Sequence, residues 1–321
     1  MATIDQRWSE LREELTTGIG WSDGDSYRMR LFDQDGQHAI FAAIDGMGRS
    51  MLAIGSSAKP QAVYFDTASV DCFRSQRADG TWLLLIRLTD SSLSEVFANL
   101  CGDLVDAISQ SFDEAQLLDA TRSRLELWKR LFDKSAGGML ADFQIQGLIA
   151  ELLELRSLML SEVRPRGEIL MAWVGPIGAD QDFLFSDFSR EVKSIRPGAK
   201  VVSISSIGQL DVVTGLTLVV YTSRRADPHE SGAITLNRLV AEIEDLVGAR
   251  SVDLAVFKDR LFEVGYVEQA SYDEVAYTIV AREEFIVGDD FPRITRASAP
   301  RGVATVHYEL LLEEIRQITR G

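Results

Sequence analysis

One apolar helical stripe followed at once by several short extended runs constrains this chain most. Between Leu140 and Leu160, Leu148, Leu152, Leu155 and Met159 recur at a spacing that places them on a single face of a helix. Extended runs are then predicted at Ile169–Val174, Asp182–Phe185, Arg190–Ile195 and Leu216–Thr222. A helix with one buried stripe needs a layer to cover, and a sheet built from those runs supplies it, so the fold class expected is α/β (α+β). Helices over Leu236–Val247, closed by Gly248, and over Val252–Phe262 follow, and then an alternating stretch at Val275, Tyr277 and Ile279.

Upstream the period differs. Trp8, Leu11 and Leu15 fit a first helix; alternation at Tyr27, Met29 and Leu31, the turn Asp35-Gly36 and the run His38–Ile44 predict a β-hairpin. Further strands are expected at Ala62–Phe65, Val70–Phe73 and, beyond the turn Asp79-Gly80, Trp82–Leu88. Gly46-Met47-Gly48 lacks the rest of a dinucleotide fingerprint and is read as a turn. From Ser92 the period becomes helical, with Leu93, Val96, Phe97 and Leu100 in one helix and Leu117, Leu118, Leu125, Trp128 and Leu131 in the next. A breaker cluster at Ser135–Gly138 marks a boundary. The expected organisation is a mainly β module over 1–90, a helical arm over 91–134, a core over 135–230 and an α/β appendage over 231–321.

Composition removes several function classes. Cys72 and Cys101 are far apart, and His38, His229 and His307 are scattered, so neither a disulfide framework nor a zinc site is indicated. No G-x-S-x-G elbow, H-E-x-x-H helix or P-loop is present. No apolar run approaches the roughly 20 residues of a membrane span, and Met1–Leu15 is charged and amphipathic rather than signal-like, so a cytoplasmic protein without a membrane partner is expected. The net charge of −16 argues against a protein that grips nucleic acid over its whole surface. Contact with DNA would have to be local or supplied by a partner.

The chemistry-bearing stretch is Asp182-Phe183-Leu184-Phe185 and, after a short turn, Arg190-Glu191-Val192-Lys193-Ser194. Residues two apart on a strand share a face, so Glu191 and Lys193 project together while Val192 points into the opposite, apolar layer. An antiparallel pairing of the two runs brings Asp182 to Glu191. Two carboxylates with a backbone carbonyl, such as that of Val192, suit magnesium, which takes oxygen ligands and retains waters; manganese is the alternative. Lys193 places an ammonium where negative charge develops during attack on a phosphodiester. Glu151, at the margin of the Leu148–Leu155 stripe, is the candidate third carboxylate, and Glu154 is read as a solvated residue further round the helix. Basic residues at Arg196, Lys200, Arg224 and Arg225 are candidate phosphate contacts or simple surface charge.

The order of Glu151 on a helix, Asp182 on a strand and Glu191-Val192-Lys193 on the next resembles the PD-(D/E)XK nuclease superfamily. The longer string, with Gly147–Leu152 before Trp173–Phe185 and Glu191–Ser194, resembles a poorly characterised bacterial branch associated with restriction-like and phage-defence gene sets. The resemblance covers roughly Leu140–Ser223. Gln181 stands where the superfamily's name has proline. What the resemblance implies is a restriction-endonuclease-like αβββαβ core, a magnesium site, a DNA substrate and partner subunits of a defence complex, with a homo-oligomer also open. Gln209 resembles a glutamine that some members place near the site, which implies substrate positioning against the plainer reading of an exposed helix residue. Two functions follow as expectations: a metal-dependent endonuclease, or a catalytically silent scaffold of the same fold that binds partner proteins or DNA.

Overall fold

The computed structural model describes residues 3–17, 27–32, 38–61, 69–109, 111–134, 140–211, 215–248 and 251–318. The expected turn Asp35-Gly36, the strand Ala62–Phe65, the Ser135–Gly138 cluster and the side chain of Leu131 lie outside the described residues. The chain forms two compact units, Met1–Met139 and Leu140–Gly321.

The first unit begins with helix α1 (Ile4–Thr17) and continues through strands β1 (Tyr27–Leu31), β2 (Ile40–Asp45), β3 (Ser50–Ser56), β4 (Val70–Gln76) and β5 (Trp82–Leu88), then helices α2 (Ser94–Ser109) and α3 (Glu114–Lys134). The strands make one antiparallel sheet in the order β1-β2-β3-β5-β4. Gly46-Met47-Gly48 is the β2–β3 turn; Gly48 takes a φ of 76°, which suits a residue without Cβ. Trp8 of α1 stacks on Phe97 of α2 and donates its indole N–H to the Met51 carbonyl at 2.9 Å, so the helices lean on the sheet through a buried aromatic pair.

The second unit contains α4 (Asp142–Leu160), α5 (Arg166–Ala172), β6 (Phe183–Leu184), β7 (Phe188–Ile195), β8 (Val201–Ile204), β9 (Gly215–Ala226), β10 (Ile234–Thr235), α6 (Leu236–Val247), α7 (Ser251–Glu263), β11 (Ala276–Ile286), β12 (Tyr308–Leu311) and α8 (Leu312–Ile318). Its main sheet runs β10-β11-β9-β7-β6, parallel only between β7 and β9. The succession α4, β6, β7, β9, α6, β11 follows the expected αβββαβ order, with β8 drawn off into a second, two-stranded sheet with β12.

Both faces of the main sheet are covered. On one, Val192, Val219, Tyr221 and Tyr277 pack under α4, α6 and α7, with Leu148, Leu152, Leu155, Leu239, Ile243 and Phe257 in the same core. On the other, Leu218, Val220 and Phe285 meet Val202, Ile204, Leu310 and Ile315. Each layer excludes water from its side of the strands, which makes the few polar groups between them costly unless partnered.

Two expectations need correction. Ile169–Val174 is not extended: residues 166–172 form α5, entered from Pro165. Ile169, Leu170 and Trp173 are buried while Met171 is exposed, which is a helical pattern hidden in a short apolar run. Glu154 is not solvated. It is fully buried between α4 and the sheet, where it accepts from Tyr221 Oη at 2.9 Å and pairs with Arg282 at 2.9 Å and with Arg190. Nearly every side of α4 is covered, so position relative to one stripe does not report exposure on this helix.

Candidate functional site

The β6–β7 hairpin sets the geometry. Its register pairs Phe183 with Arg190, which places Asp182 opposite Glu191. The backbone N–H of Val192 donates to Asp182 Oδ2 at 2.7 Å, so one carboxylate is anchored directly on the neighbouring strand. The Asp182 carbonyl in turn accepts from the N–H groups of Val174 at 2.8 Å and Gly175 at 3.0 Å. Asp182 is thus held by main chain on both sides.

Glu191 and Lys193 share the face of β7 that looks away from α4. Lys193 Nζ lies 2.7 Å from Glu191 Oε1 and donates to Gln209 Oε1 at 3.2 Å. Gln209 sits in the 3₁₀ turn Ile207–Leu210 and also accepts the Ser205 N–H at 2.8 Å, so the amide is itself fixed. Glu191 is 1% exposed, yet its Oε2 has no hydrogen-bond partner. Leaving a buried carboxylate oxygen unpaired costs on the order of 1–3 kcal/mol or more.

Glu151 approaches from α4. Trp173 donates its indole N–H to Glu151 Oε2 at 2.9 Å, and Trp173 is fully buried, so the carboxylate is aimed by a rigid ring. Gly175 lies between the acids. A Cβ there would stand 2.7 Å from Asp182 Oδ1 and 3.4 Å from Glu151 Oε2, so the absent side chain is what allows these two carboxylates to close on the same spot.

The charge balance is unfavourable for the protein alone. Burial and then Asp182 push the Glu191 carboxyl well above the usual carboxylate range, opposed by the charge and hydrogen bond of Lys193, with Glu151 adding the smallest push. Burial and then Asp182 raise Glu151, opposed by the Trp173 hydrogen bond and Lys193. Burial raises Asp182 as well, opposed by the Val192 N–H and Lys193. Three carboxylates face one ammonium in a low-dielectric setting, an arrangement that calls for protons or a further cation. Among the described residues no three acidic, imidazole or thiol side chains are spaced as a finished ligand set. The donor set available is therefore Asp182, Glu191 with its unpaired Oε2, and main-chain oxygen such as that of Val192, all hard oxygen donors that fit magnesium or manganese.

Sequence-predicted residues outside this group are placed differently. Arg224 and Arg225 lie at the far end of β9: Glu191 pairs with Leu218, and Arg224 is six residues beyond it, roughly 20 Å at about 3.3 Å per residue. Arg224 pairs with Glu230, while Arg225 pairs with Asp142 at 2.9 Å and stacks over Tyr277. The structure does not bring them to the carboxylates. Trp173 and Gly175 contribute to the site without having been singled out for it. The signal available was the string Trp173-Val174-Gly175-Pro176, in which a glycine beside a proline marks a close turn.

A helix carboxylate, an acid opening a strand and an E-x-K pair on the next, set against a mixed sheet, define a restriction-endonuclease-like protein. A family model described as "Putative PD-(D/E)XK family member, (DUF4420)" matches residues 4–313, and the chain belongs to that family. No curated protein and no solved structure matches it.

Proposed function

We propose that this protein is a metal-dependent endonuclease that hydrolyses DNA phosphodiester bonds, working as a subunit of a restriction-like or phage-defence system. The observation that carries this reading is the convergence of Glu151, Asp182 and Glu191 beside Lys193, with Glu191 Oε2 buried and unpaired. Membership of a PD-(D/E)XK-type family supports the same reaction class.

Asp182, Glu191 and the Val192 carbonyl would hold the cation, and Glu151 would add negative charge at the rim. When bound, magnesium supplies Lewis-acid stabilisation of charge on the phosphoryl oxygens. Lys193, fixed between Glu191 and Gln209, presents a hydrogen-bond donor and a positive charge to the attacking and scissile oxygens. Gln209 is a positioning residue: it sets where the ammonium stands, and with one proton on Gln209 and one on Glu191 the third can turn towards a substrate. Trp173 and Gly175 hold the two remaining carboxylates at their approach.

The test is cleavage of modified and unmodified plasmid with magnesium or manganese by the wild type, Asp182→Ala and Lys193→Ala, alone and with partner subunits. Metal-dependent nicking abolished by both substitutions supports the enzyme. Cation binding without cleavage under any of these conditions transfers the assignment to the silent scaffold.

A further inference from the structure

On a chain with a net charge of −16, the stretch Phe291–His307 carries Arg293, Arg296 and Arg301 and no acidic residue. It is fastened to the 3₁₀ turn that supports Lys193. Arg293 Nη1 donates to the Leu210 carbonyl at 2.8 Å, and the Arg296 backbone N–H donates to Asp211 Oδ2 at 2.9 Å. From the other side Gln181, the neighbour of Asp182, donates to the Gly208 carbonyl, and Gln209 holds Lys193 at 3.2 Å. A single short turn therefore joins the arginine-bearing segment to both sides of the carboxylate–lysine group.

Between the turn and the segment runs a groove of about 550 Å³, bounded by Asp180, Ser206 and Gly208 on one side and by Arg296, Arg301 and Thr305 on the other. The Arg296 side chain is 68% exposed and, among the described residues, meets carboxylates only at 3.3 Å (Asp180) and 3.9 Å (Asp211). Exposed pairs of this kind contribute little, so exchange for a phosphate is inexpensive. Arg301 is exposed and, among the described residues, has no ion-pair partner. Arginine forks suit phosphate oxygens, and the two of them line a groove built on the same turn, Ile207–Leu210, whose Gln209 holds Lys193.

We infer that this groove is where the polynucleotide backbone enters the site, with Arg296 and Arg301 as its phosphate contacts. The inference rests on the nuclease reading for its substrate but not for its test. The experiment is binding of the full-length protein to a labelled DNA duplex with calcium in place of magnesium. It compares the wild type, Arg296→Ala/Arg301→Ala, the corresponding Arg→Lys pair, and Arg224→Ala/Arg225→Ala. Each lost phosphate contact lowers the slope of log affinity against log salt by about 0.9, so the alanine pair should lower it by nearly 2; between about 50 and 200 mM salt its affinity then falls roughly tenfold less than that of the wild type. The lysine pair should keep most of the slope, and the Arg224/Arg225 pair should keep all of it. An unchanged slope in Arg296→Ala/Arg301→Ala overturns the inference even where the wild type cuts DNA. No salt-dependent DNA binding by the wild type overturns it as well. A reduced slope in a protein that never cuts sustains the groove and removes the nuclease.

Discussion

Gly175→Ala adds one methyl group to the site and removes nothing. The new Cβ falls 2.7 Å from Asp182 Oδ1, 3.1 Å from Asp182 Cα and 3.4 Å from Glu151 Oε2, well inside ordinary van der Waals separation for the first two. Gly175 is not among the positive-φ glycines, so alanine brings steric overlap without backbone strain. Asp182 has little room to yield, because Val192 N–H holds Oδ2 at 2.7 Å and Val174 and Gly175 N–H groups hold its carbonyl. Overpacking of this sort costs about 1–3 kcal/mol. The displaced carboxylate should also lose divalent-cation affinity by about 10–100-fold, the range found when groups that orient metal ligands are altered. Calorimetric titration with manganese, alongside urea unfolding, measures both. Unchanged affinity together with unchanged stability would refute the argument that the two acids close on one spot.

Other consequences are equally direct. Gly147→Ala, in α4 with nothing within 4 Å of the added carbon, should stabilise by about 0.5–1 kcal/mol in urea unfolding and leave cation affinity untouched. Glu154→Gln should cost about 3 kcal/mol, the low end for breaking a buried ion pair, because Arg190 and Arg282 keep partial exposure and Glu284 as a partner; a loss under 1 kcal/mol contradicts this. Glu151, Asp182 and Glu191 all have raised carboxyls in the folded protein. Their stabilising contribution is complete below the unfolded values near 4 and is lost as pH rises through the folded ones. Without divalent cation, the wild type should therefore lose stability from about pH 5 to 8 relative to Glu151→Gln/Glu191→Gln, and magnesium should restore most at the upper end, where the acids are ready to bind it. Scanning calorimetry showing the opposite trend counts against the buried cluster.

Local patterns were legible in the chain where the physics is local. Helix α6 occupies Leu236–Val247 as expected because Thr235 caps its start and Gly248, at φ 74°, ends it. Glu191 and Lys193 share a face because strand periodicity leaves no choice. Strand β3 carries no strand signal in the sequence, since Ser50–Ser56 is buried on nearly every side, which removes the alternation by which strands are recognised. The role of Glu154 depends on Arg190, Tyr221 and Arg282, which are 36, 67 and 128 residues away, and no window of sequence contains that information. The same holds in part for Gly175, which meets the carboxylate of Glu151 on α4 as well as that of nearby Asp182.

Anomalous diffraction from a crystal soaked in manganese shows whether these carboxylates hold a divalent cation. A cation held as proposed gives one peak bound by the carboxylates of Asp182 and Glu191, with Glu191 Oε2 now a ligand and the Val192 carbonyl alongside. Absence of a peak there at saturating manganese, with Glu191 still held by Lys193 alone, would contradict it.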